Sequence, residues 1–100
     1  MQGNAGAGAN QLSAFTVTSA AQVDLQNVIA DGAIAVTGTN IDLNSTTYTS
    51  NTGAVTFTGG VDLDAGAVTT VVTSGGGAGD DITFTSTIDD AVTNDTTLSL

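Results

Sequence analysis

Phe15-Thr16-Val17-Thr18, Ile34-Ala35-Val36-Thr37, Val55-Thr56-Phe57-Thr58 and Ile82-Thr83-Phe84-Thr85 are four versions of one phrase. Each runs apolar, small, apolar, Thr, the period-two pattern of a strand buried on one face. A second phrase follows each of them: Val23-Asp24-Leu25, Ile41-Asp42-Leu43, Val61-Asp62-Leu63 and Ile88-Asp89-Asp90. The equivalent Asp residues stand 18, 20 and 27 positions apart, and the extra length of the last interval lies between Ala65 and Asp80. A looser third strand closes each unit, at Val28-Ile29-Ala30, Thr47-Tyr48-Thr49 and Val68 to Thr73, and Thr97-Leu98-Ser99-Leu100 starts another. That last strand meets neither a turn nor a polar cap, so more protein or another copy is expected to follow it.

Short strands repeating in units of about 20 residues predict a parallel β-solenoid in which each unit is one rung. The fold expected is therefore all-β, a right-handed parallel β-helix of about four rungs over residues 13–100. The alternative is an antiparallel β-sandwich, which also places turn signals every ~8–12 residues. The register of the repeat favours the solenoid, because a sandwich does not require each unit to resemble the last. Helices are disfavoured: Gly and β-branched residues interrupt every window, and Glu, Lys and Arg are missing. Ala20 to Ile29 is the best helical candidate, and even there the strand pattern fits better.

In the solenoid, equivalent residues stack. Phe15/Ile34/Val55/Ile82, Val17/Val36/Phe57/Phe84, Val23/Ile41/Val61/Ile88 and Leu25/Leu43/Leu63 are expected to form inward columns. Thr16/Ala35/Thr56/Thr83 and Thr18/Thr37/Thr58/Thr85 are expected to face outward, as is an acidic column of Asp24, Asp42, Asp62 and Asp89. The Gly-rich stretch Ser74 to Asp80 then bulges from one corner without breaking the stack.

Composition narrows function. The chain has 100 residues, no Lys, Arg or His, and ten acidic residues, all Asp, for a net charge of −10. Nucleic-acid binding rests on neutralising phosphates, and nothing here can do so. An anionic membrane surface would repel the chain, and no apolar run reaches the ~20 residues that span a bilayer. There is no Cys, hence no disulfide framework. Residues 1–12 read as a flexible lead-in without the basic and apolar regions of a signal peptide.

Three chemistries follow from the outward residues. Carboxylates about 5 Å apart repel by roughly 1 kcal/mol per neighbouring pair in water, and no cation of this chain offsets that. Asp24, Asp42, Asp62 and Asp89 are thus either a solvated acidic face or candidate ligands for Ca²⁺, a hard ion that takes carboxylate oxygens. The Thr rows resemble the ice-binding face of β-solenoid antifreeze proteins, although Ala35 interrupts one row. Gly76-Gly77-Ala78-Gly79-Asp80-Asp81-Ile82-Thr83-Phe84 matches most of the calcium-binding nonapeptide of toxin repeats. It fails at the apolar position, where Thr83 falls, and occurs once, so it reads as a Gly-rich corner. For catalysis only Asp, Tyr48, Ser and Thr remain. Carboxylate pairs hydrolyse glycosides, but the substrate groove of a β-helix enzyme needs many more rungs, and no enzyme activity is expected.

Gly53-Ala54-Val55-Thr56-Phe57-Thr58-Gly59-Gly60-Val61-Asp62-Leu63 and Asp81-Ile82-Thr83-Phe84-Thr85-Ser86-Thr87-Ile88-Asp89 resemble the repeats of filamentous-haemagglutinin-like bacterial exoproteins, over residues 13–100 of this chain. The resemblance implies a β-helical shaft segment of a larger adhesin or matrix filament, secreted or displayed on the bacterial cell surface. Its partners would be neighbouring rungs or other copies stacked end to end. It transfers no binding residue to this sequence.

Overall fold

The computed structural model describes residues 12–75, 77, 79–90 and 97–100. The expected lead-in up to residue 11, and Gly76 and Ala78 of the Gly-rich loop, lie outside the described residues. Strands alone make up the regular structure of the rest, in two sheets. One sheet holds β1 (Phe15–Val17), β2 (Gln22–Leu25), β4 (Ile34–Leu43), β6 (Val55–Leu63), β8 (Ile82–Phe84) and β9 (Ile88–Asp90). The other holds β3 (Val28–Ala30), β5 (Thr47–Ser50), β7 (Val68–Thr73) and β10 (Thr97–Ser99). Every pairing between these strands is parallel. The antiparallel sandwich has no counterpart in this arrangement.

Register follows the repeat residue by residue. Phe15, Ile34, Val55 and Ile82 are successive partners, as are Val17, Val36, Phe57 and Phe84. Val23, Ile41, Val61 and Ile88 form the next row. The Leu25, Leu43 and Leu63 row continues at Asp90, a half-buried carboxylate in the position of a leucine. In the second sheet Val28, Tyr48 and Val71 are partners, with Tyr48 fully buried between two valines. Buried and part-exposed residues alternate along β4 on either side of Thr39 and Asn40, the pattern expected of a one-sided strand. That alternation fixes the register, because a slip of one residue would turn every apolar side chain to water.

Two of the expected breaks between strands are absent. The first and second phrases of the middle units are joined into the single strands β4 and β6, whereas in the outer units β1 and β2, and β8 and β9, remain separate. The joint is irregular: Thr37 pairs with Thr58 and Asn40 with Gly60, so Gly38 and Thr39 stand opposite Gly59 alone. Such a two-against-one bulge bends a strand without ending it. Gly59 takes φ +126°, and a Cβ there would overlap the Gly38 carbonyl oxygen. No other residue type fits that backbone and that approach.

The core lies between the sheets. Tyr48 and Phe57 meet edge to face with ring centroids 6.4 Å apart, and Phe57 stacks on Phe84 at 5.2 Å. These geometries suit the ring quadrupoles. The Tyr48 hydroxyl donates to the Leu25 carbonyl (2.9 Å) and accepts from the Ser45 amide (3.2 Å), so the one phenol of the core is satisfied at both lone pair and proton. Ser50, also fully buried, accepts from the Gly53 amide at 2.9 Å and lies 2.8 and 2.7 Å from the Gly32 and Gly53 carbonyls.

Three substitutions test these constraints. Gly59→Ala should destabilise by about 2 kcal/mol through backbone strain and the close carbonyl. Gly60→Ala, whose new Cβ would meet nothing nearer than 3.6 Å, should stay within about 1 kcal/mol of the parent. Urea titrations of both variants measure the difference, and equal effects would contradict the bulge geometry. Tyr48→Phe should cost roughly 1 kcal/mol, because the part-buried Ser45 amide loses its acceptor while the Leu25 carbonyl keeps only the Asn44 amide as donor.

Candidate functional site

Parallel register places the outward acidic residues in a single row. Asp24 pairs with Asp42, Asp42 with Asp62 and Asp62 with Asp89, one strand spacing of ~4.8 Å at a time. The row runs along β2, β4, β6 and β9, and each member sits between two inward apolar residues or, for Asp89, between Ile88 and Asp90. All four expected residues are thus brought side by side.

Two amides sit beside the row, each two positions before its Asp and therefore on the same face of its strand. Gln22 and Asn40 are partners in register. The Gln22 amide donates to Asp24 Oδ1 (3.0 Å) and to Asp42 Oδ2 (2.7 Å), bridging the two carboxylates. The Asn40 amide donates to Asp42 Oδ1 (3.1 Å) and to Gln22 Oε1 (3.1 Å). In a chain with no Lys, Arg or His, neutral donors must offset carboxylate repulsion, and here two amides do so. At the next register position Gly60 replaces the amide, so the bridge does not extend to Asp62 in the same way.

The Asp42 carboxyl is raised above its ordinary value of 3.8, first by partial burial, then by its hydrogen bond with Asp24 and by the charges of Asp24 and Asp62, against the opposing pull of Gln22. The row therefore holds a proton at Asp42 more readily than an isolated carboxylate does.

Ca²⁺ takes about six to eight oxygens converging on a point, whereas a row of carboxylates on parallel strands offers in-line neighbours only. Among the described residues no three acidic side chains gather closely enough to hold a metal ion. At the Gly-rich corner Asp80 Oδ2 accepts from the Gly77 amide (2.5 Å), and Thr73 Oγ1 donates to the Asp80 carbonyl (2.9 Å). Asp80 closes its own loop there.

The threonine rows are less regular than their spacing suggests. Thr16, Ala35, Thr56 and Thr83 are successive partners. In the second row only Thr37 and Thr58 pair within strands, and Thr18 and Thr85 fall outside them. Thr85 Oγ1 instead accepts from the Gly59 amide at 3.2 Å. Thr56 and Thr58 keep the Thr-x-Thr spacing within a strand, whereas Ala35 stands before Thr37.

Tyr48 offers no surface chemistry. Burial pushes its phenol up to about 12, with the Ser45 hydrogen bond opposing the shift. It stays protonated through ordinary pH and serves packing.

Corner side chains missed by the repeat pattern join one unit to the next. Asn27 Oδ1 accepts from the Thr46 and Thr47 amides at 3.2 and 3.0 Å. Asn51 donates to Asp31 Oδ1 at 3.0 Å, and Thr52 Oγ1 to the Asp31 carbonyl at 2.5 Å. Each contact spans about one unit of sequence, so the corners as well as the strands are held in step.

Compared with protein-family models, with curated proteins and with solved structures, the chain finds no match.

The acidic row makes stability depend on pH with a definite sign. A carboxyl whose folded value is raised contributes in full below its ordinary value, here 3.8, and loses that contribution as pH rises through the folded value. The melting temperature should therefore increase as pH falls from about 7 to about 4 at low salt. Asp42→Asn should show a shallower rise, and a gain at about pH 7 of roughly 0.5 kcal/mol once solvent screening of this largely exposed pair is allowed for. Equal slopes in parent and variant would remove Asp42 from the account.

Proposed function

We propose that this chain is a segment of right-handed parallel β-helix, about four rungs long, that acts as a non-catalytic shaft in a secreted or surface-displayed bacterial adhesin or matrix filament. The observation that carries the reading is the parallel register from unit to unit. Every described strand pairs with the strand one unit away, and equivalent residues meet throughout. A fold assembled from interchangeable units sets length and stiffness by unit number, which is what a spacer requires.

The surface supports the same reading. The acidic row keeps neighbouring shafts from merging face to face, because like charges on both would repel. The resemblance of residues 53–63 and 81–89 to filamentous-haemagglutinin-like repeats points to the same class of role, and the bacterial surface is proposed on that resemblance.

Deleting residues 34–54 removes one unit and brings Val55 to the place of Ile34. β6 would then take over the partners of β4, Val55 meeting Phe15 and Val61 meeting Val23. The shortened chain should keep the circular-dichroism signature of a β-protein and unfold cooperatively at a lower temperature, since a repeat array loses stability roughly in proportion to its interfaces. Loss of cooperative unfolding would count against interchangeable rungs.

A further inference from the structure

We draw no further inference here: the strongest candidate, the uncharged outer face of β3, β5 and β7 where Ile29, Thr49 and Val72 are aligned in register, is an unpartnered sheet face with nothing in the structure to show what covers it.

Discussion

In-register parallel pairing is the constraint on which the rest depends. It makes each residue meet its equivalent one unit away, so any property of one strand is repeated along the sheet. Apolar residues then form continuous rows, and burial improves with every strand added. The same rule applies to charge. An Asp that would be inconsequential on one strand becomes a row of like charges at strand spacing. Reversing one pairing would scatter the rows and remove both effects together.

The core shows how such rows are filled. Aromatic rings at every rung of two facing rows would overfill the space between the sheets, and small side chains throughout would leave it empty. Val28, Tyr48 and Val71 place one large ring between two small residues. Across from it, Val36 and Phe57 are neighbours in their own row, and the Phe57 ring meets both Tyr48 and Phe84. The phenol reaches beyond the apolar layer to two backbone groups at the corner. One side chain therefore links the packing of the core to the geometry of a turn. Ser50 does a comparable job at another corner, where its hydroxyl lies among Gly32 and Gly53 backbone groups.

Much of this arrangement is legible in the sequence, for a physical reason. Period-two alternation names the inward face, and self-similarity between units names the partner, so the Val, Ile and Phe positions of each row align on pattern alone. The Asp row follows from the same alignment. Other features depend on distances the pattern does not encode. The joining of β4 and of β6 into single strands is one, since β8 and β9 stay separate across a connector no longer than that within β6, and Gly59 absorbs the mismatch between β4 and β6. The Tyr48 hydroxyl finds a carbonyl 23 residues earlier, and no local motif announces that contact. The amide bridge does leave a local signal, since Gln22 and Asn40 each stand two residues before an Asp. A strand reading that sorts residues only into apolar and polar passes over them. Asp90 in the leucine row is the opposite case, an exception visible in the sequence whose half-buried setting only the structure reveals.

The parallel register itself is tested most directly by a spin-label distance between positions 35 and 56, outward-facing partners on β4 and β6. With Ala35 and Thr56 replaced by Cys and labelled with nitroxides, the parallel register predicts backbone positions about 5 Å apart and a spectrum dominated by strong dipolar or exchange broadening. The two single-label variants should show no such broadening. A doubly labelled spectrum equal to the sum of the singles would place the two positions far apart and contradict the parallel pairing of neighbouring units.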